Sequence, residues 1–173
     1  MHEVVATPHV AGSNGQPSSS RYEMNKVISF LQLNFLPRSV DLGLLVLRLG
    51  VGLSFFWLHG LGKAMKFSEL LQKFPDPLGI GHPASATLAT FAEAVCTLLL
   101  AIGLFTRFAA LNIAITMAVA FFIVKKAALT GADNGELPYL YLLAVLPLLI
   151  AGGGRFSLDA MLNRSTSTRA DYR

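Results

Sequence analysis

Apolar residues in this chain occur in four long blocks rather than at the amphipathic spacing that covers a soluble core. The blocks lie, in order, at residues 40–61, 83–105, 108–124 and 136–152. Each block has about 17 to 23 residues, and about 20 helical residues cross the hydrocarbon of a bilayer. The pattern therefore predicts an all-α membrane protein, an antiparallel bundle of four transmembrane helices.

A short segment between the first two blocks places its apolar residues on one helical face only. Phe67, Leu70, Leu71 and Phe74 follow the spacing i, i+3, i+4, i+7, and polar residues occupy the other face. This spacing is typical of an amphipathic helix that lies on the membrane surface. We expect residues 66–74 to connect the first two spans or to cover a pocket between them.

Both ends of the chain are polar. Residues 1–24 are rich in Ser, Gly and Pro and predict a disordered tail, with Met24 as an alternative start. Within residues 25–38 the apolar stretch is too short to span, which predicts an interfacial segment. Residues 39–162 then form the transmembrane domain, and residues 163–173 form a polar C-terminal tail.

Composition and charge support a membrane location and exclude some partners. The chain is 53% hydrophobic and 14% charged, whereas soluble domains carry about 25% charged residues. No basic stripe with interleaved aromatic residues is present, which excludes nucleic acid as a partner. The single cysteine, Cys96, excludes an intrachain disulfide, and we interpret it as a small packing residue.

The distribution of basic residues predicts the topology. With four spans both termini lie on one side, together with eight of the 14 Lys and Arg residues, and five lie on the other side. Cytoplasmic segments carry the excess of basic residues. The lipid bilayer is thus expected to be the inner membrane, with both termini in the cytoplasm.

Two charged residues lie inside the apolar blocks, Arg48 in the first and Glu93 in the second. A charge at the centre of a span costs about 2.5 to 3.5 kcal/mol, so such residues face the interior and need partners. At 100° per residue, Arg48 shares one helical face with His59 and Lys63. We expect that face to lie against Glu93.

Two interpretations of these charges stay open at this point. In the first, Arg48 and Glu93 form a structural ion pair that fixes helix register; in the second, they line a polar pocket for a ligand or a proton. The expected pocket residues are Arg48, His59, Lys63, Glu93 and Glu136. We expect a second group near the inner surface, formed by Arg107, Arg155 and Asp159. No metal-ligand spacing is present.

The order of these polar and glycine positions resembles the DoxX family of small four-helix membrane proteins. The positions are Arg48-x3-Gly52, His59-Gly60-x2-Lys63, Glu93, Gly103-x2-Thr106-Arg107, Glu136 and Gly152-Gly153-Gly154-Arg155-Phe156-Ser157-Leu158-Asp159. The resemblance covers about residues 40–162. The family is named after a membrane oxidoreductase that passes electrons from a sulfur compound to quinone, and other members are described as partners in thiol-redox complexes.

The resemblance implies a quinone-interacting or accessory membrane subunit of a redox complex, without a catalytic assignment. One histidine within the predicted spans and a single cysteine leave no bis-histidine haem site and no cysteine pair, so the electron-carrying centre would lie on a partner protein. Quinone is the expected ligand, with His59 and Glu93 as groups that exchange protons. A non-enzymatic assembly factor or receptor, and a carrier of a small solute or of protons, remain as alternatives.

Overall fold

The computed structural model of the chain describes residues 19–36, 38–132 and 134–170, among which there are helices and no strand. The helices are α1 (Ser19–Leu31), α2 (Val40–Met65), α3 (Phe67–Lys73), α4 (His82–Ile102), α5 (Thr106–Val124), α6 (Glu136–Ala151) and α7 (Leu158–Ala170). The all-α class is therefore confirmed, and so is the short amphipathic helix between the first two spans, which is α3.

The chain ends differ in part from the sequence-based expectation. The first 18 residues of the predicted tail, and residues 171–173 at the other end, lie outside the described residues. From Ser19 the backbone is helical, so residues 19–24 belong to α1 rather than to a disordered tail. Most of the expected C-terminal tail likewise continues α7. The described residues up to Arg38 form one compact unit, and those from Ser39 onward form a second.

Three of the helices are long and apolar enough to cross a bilayer. By length and composition these are α2 with 26 residues, α4 with 21 and α5 with 19. Helix α6, which corresponds to the fourth predicted span, has 16 residues and at 1.5 Å per residue reaches about 24 Å, less than the hydrocarbon thickness. A membrane protein is thus supported, while the antiparallel bundle of four spans stays a prediction.

Small residues allow the helices of the second unit to pack closely. A Cβ at Gly52 on α2 would lie 2.7 Å from the Thr97 carbonyl oxygen of α4. Such contacts are typical of membrane helices, where close backbone approach replaces the hydrophobic driving force. Cys96 is fully buried in the core, together with Leu100, Ile113 and Val145, which agrees with a packing role.

Each of the three long helices contains a π-helical stretch. The stretches are Phe56–Gly60 in α2, Phe91–Cys96 in α4 and Val119–Val124 in α5. A π-turn contains more residues than an α-turn, so it rotates the side chains that follow it, and it is frequent at functional sites. Two of the predicted pocket residues, His59 and Glu93, lie within these stretches.

Candidate functional site

The polar centre of the second unit is an ion pair between Lys63 and Glu93. Lys63 Nζ donates a hydrogen bond to Glu93 Oε1. The side chain of Glu93 is 6% exposed and that of Lys63 is 27% exposed, so the carboxylate is buried and the ammonium retains some access. The predicted pairing of Glu93 with Arg48 is therefore wrong, because Lys63 is the cation that reaches it.

Close contact between α2 and α4 brings this pair together. Gly60 lies directly against the backbone carbonyl of Glu93, where a Cβ would overlap it. The Thr97 hydroxyl donates to the same carbonyl at 2.7 Å, which gives it a partner inside the π-helical stretch. Because Gly60 lacks a side chain, Lys63, three residues further along α2, comes within reach of the Glu93 carboxylate.

Two cavities meet at the ion pair. The loop cavity, of about 240 Å³, lies between α4, α5 and the loop before α4, and it is almost entirely apolar. The aromatic cavity, of about 200 Å³, lies on the side of α6. Lys63 and Glu93 line both cavities. The pair therefore forms a polar boundary between two pockets that are otherwise largely apolar.

Three rings shape the aromatic cavity. Phe55 and Tyr141 stack with centroids 4.3 Å apart, and His59 contacts Phe55 edge-on at 5.3 Å. His59 thus lines the same cavity as Lys63 and Glu93, as the sequence predicted. Glu136 does not join them: it is exposed at the start of α6, while the residues that follow it, Leu137 and Pro138, line the cavity.

Arg48 belongs to a different cluster, formed where the chain turns back after α6. Its guanidinium donates to the Phe156 carbonyl and lies against Gly103, whose missing side chain leaves the space that the guanidinium occupies. Arg48 is 2% exposed. The turn of residues 152–159 is therefore the partner of Arg48 in place of Glu93.

The same turn ties several helix ends together through hydrogen bonds. The Asp159 carboxylate accepts from the backbone N–H groups of Phe105 and Thr106 at 2.7 and 2.8 Å. It thereby caps the start of α5, where these N–H groups have no partner within the helix. Asp41, in the first turn of α2, accepts from the Arg155 N–H at 2.8 Å.

Arg107, the remaining predicted residue of the inner group, donates from Nε to the Leu149 carbonyl at 2.9 Å near the end of α6. Arg107, Arg155 and Asp159 thus lie at one end of the helices, together with Arg48. The side chains of Arg107 and Asp159 bond to backbone groups, and Arg155 contributes its own backbone N–H to Asp41, which points to a structural role. Among the described residues, no group of His, Cys, Asp and Glu side chains is placed to hold a metal ion.

Two features of the site were not predicted from the sequence. The stacking of Phe55 on Tyr141 joins α2 to α6, and no local pattern indicates which aromatic residues of separate helices meet. The Asp76 carboxylate accepts backbone hydrogen bonds within the loop before α4. The sequence does carry a pattern for this loop, because an Asp between two prolines, followed by Gly79 and Gly81, is typical of a tight turn.

Comparison with known proteins agrees with the residue pattern. A profile described as DoxX matches residues 43–126. An uncharacterized protein of Haemophilus influenzae is 32% identical over 108 residues, covering 60% of this chain and 71% of that protein. An uncharacterized membrane protein of Mycobacterium tuberculosis is 36% identical over 120 residues, covering 56% of this chain and 74% of that protein.

A second uncharacterized protein of Haemophilus influenzae is 34% identical over 109 residues, covering 60% of this chain and 79% of that protein. No solved structure matches the chain significantly. The chain covers more than two thirds of each of these relatives at more than 30% identity. The profile includes all of α4 and α5 and most of α2, so the relationship extends through the ion pair. The chain is a membrane protein of the DoxX family.

Proposed function

We propose that this chain is a membrane subunit of a redox complex and binds a lipid-soluble quinone at the Lys63–Glu93 pair. The observation that carries the proposal is the position of one partly buried ion pair at the boundary of two largely apolar cavities. A quinone combines an apolar ring and tail with two carbonyl oxygens. It needs an apolar pocket with few polar groups, which is the usual composition of a small-molecule site.

The ion pair has the hydrogen-bonding capacity that such a ligand requires. An ammonium has three N–H donors, of which Lys63 directs one at Glu93, so further donors suit a quinone carbonyl. The Glu93 carboxylate has acceptor capacity for the hydroxyl of the reduced form. His59, in the aromatic cavity, adds a second side chain that can donate or accept a hydrogen bond. The electron-carrying centre is supplied by a partner protein.

The proposal includes the arrangement in the membrane. Four spans, α2, α4, α5 and α6, cross the inner membrane in alternating directions with both termini in the cytoplasm. The excess of Lys and Arg on the side of the termini supports this orientation. The apolar character of α6 supports counting it as the fourth span, since a bilayer accommodates a short span by thinning locally.

Carriage of protons or of a small solute is the second candidate. It is favoured by the contact of both cavities with the same ion pair, because separating Lys63 from Glu93 would join the two cavities. In this function the pair acts as a gate, and no quinone is bound. Proteoliposomes that contain a pH-sensitive dye would detect proton flux that depends on Glu93.

Binding of decylubiquinone to the full chain in lipid nanodiscs tests the first candidate. We expect Lys63→Met and Glu93→Gln each to weaken binding by about tenfold, which corresponds to about 1.4 kcal/mol. Lys73→Met and Glu69→Gln are matched controls, because both residues are exposed on α3 and line neither cavity. Binding that is equally strong in all four variants would refute the quinone site.

A further inference from the structure

The loop between α3 and α4 covers the loop cavity. Its lining residues from this segment are Phe74, Pro75, Pro77, Leu78 and Ile80. Across the cavity, α5 supplies the facing wall with Thr116 and Val119 among its residues. The ring of Phe74, at the start of the segment, lies 5.6 Å from Lys63 Nζ. The segment thus extends from the ion pair across the cavity to the start of α4.

Asp76 binds this segment to the start of α4. Its Oδ1 accepts from the Ile80 N–H at 3.0 Å and from the Ser85 hydroxyl at 2.8 Å. Its Oδ2 accepts from the Gly81 N–H at 2.8 Å. The hydrogen bond from Ser85, followed by that from Gly81, lowers the pKa of Asp76 below its usual range, so the residue is a carboxylate at neutral pH.

The segment between α3 and α4 is held by hydrogen bonds to its neighbours along the chain and not by bonds to the facing wall of the cavity. In the described part of the chain, its hydrogen bonds run to the segment itself and to the adjoining ends of α3 and α4, including His82 Nδ1 with the Phe74 carbonyl at 2.6 Å. None reaches α5, the facing wall. Leu78 and Ile80 are about half exposed, at 50% and 47%. The segment therefore carries exposed apolar surface.

We propose that the segment from Phe74 to His82 is a hinged cover through which an apolar ligand enters the loop cavity from the bilayer, with Asp76 as the latch that keeps it closed. Opening separates the segment from α5, where contacts are apolar, and swings it away from the start of α4, to which the hydrogen bond from Ser85 to Asp76 holds it. The cover itself follows from the geometry of the loop, whereas its use by a quinone rests on the proposed function.

A cysteine on the facing wall reports whether the cover opens. Thr116→Cys places a thiol on α5 beside the loop cavity, and the native Cys96 is fully buried, so its background labelling is low. The rate of labelling by N-ethylmaleimide is measured for the full chain in nanodiscs. Adding Asp76→Ala should raise the rate by about tenfold or more, because hydrogen bonds to a charged group are lost.

Two controls make the result specific. Glu69→Ala removes an exposed carboxylate of α3 that makes no contact with the cavity, and it should leave the rate at Thr116→Cys unchanged. The native Cys96 is fully buried in the core and does not line the loop cavity, so Asp76→Ala without Thr116→Cys should leave its slow labelling unchanged. If Asp76→Ala reduces folded yield, Ser85→Ala removes one bond of the latch and should raise the rate by a smaller factor.

Equal labelling of Thr116→Cys with and without Asp76→Ala would overturn the proposal. Equal acceleration at Thr116→Cys and at the native Cys96 would also overturn it, since the whole domain would then have loosened. Decylubiquinone binding separates the two proposals. Faster labelling with no quinone binding would support the hinged cover and refute the quinone site. Quinone binding with unchanged labelling would support the quinone site and refute the hinged cover.

Discussion

Replacing Glu93 with glutamine tests which cation the buried carboxylate balances. The change keeps the size of the side chain and removes its charge, so Lys63 loses the partner to which it donates. Arg48, the partner that helical geometry predicts, keeps its contact with the Phe156 carbonyl. A second substitution, at Lys63 or at Arg48, therefore distinguishes the two possible partners of Glu93, because only removal of the true partner should offset the effect of Glu93→Gln.

The expected loss of stability follows from the exposure of the two side chains. Breaking a fully buried ion pair costs about 3 to 5 kcal/mol, whereas exposed pairs contribute about 1 kcal/mol or less. Glu93 is 6% exposed, but Lys63 is 27% exposed and keeps access to water or headgroups. We therefore expect Glu93→Gln to lower the free energy of unfolding by about 2 kcal/mol, between these two limits.

Unfolding by sodium dodecyl sulfate in mixed micelles, followed by circular dichroism, measures this loss. Adding Lys63→Met to Glu93→Gln should recover most of it, because the stranded ammonium is removed. Adding Arg48→Met should recover nothing and should lower stability further, since Arg48 then loses its bond to the turn. Recovery with Arg48→Met and none with Lys63→Met would refute the Lys63–Glu93 pairing.

Three further predictions concern packing, capping and topology. Gly60→Ala should destabilise the fold by about 1 to 3 kcal/mol, because its Cβ overlaps the Glu93 carbonyl; Gly62→Ala, with open space around it, is the neutral control in the same unfolding assay. Asp159→Ala should cost about 1 to 2 kcal/mol through the lost cap of α5, and thermal denaturation that matches the wild type would contradict this role. Fusions after Asp159 should be active with a cytoplasmic reporter such as green fluorescent protein; activity of a periplasmic phosphatase there would contradict the topology.

The helices were largely predictable because the length of an apolar run is a property of the local sequence. The helices of the first two predicted spans, α2 and α4, begin within one residue of the predicted starts, and α2 continues to Met65. The i, i+3, i+4, i+7 pattern located α3 for the same reason. The structure places His59 and Lys63 around the same cavity as Glu93, and the local signal for this grouping is the helical face that His59 and Lys63 share.

The partner of Arg48 depended on tertiary structure for two physical reasons. Projection at 100° per residue assumes an unbroken α-helix, but the π-helical stretches of α2 and α4 rotate the side chains around Glu93. The chain after α6 also folds back and offers Arg48 a carbonyl more than 100 residues away along the sequence. Apolar patterning thus determined which segments are helical, whereas close packing at Gly60 and Gly103 decided which charges meet, because backbone approach sets what a side chain can reach.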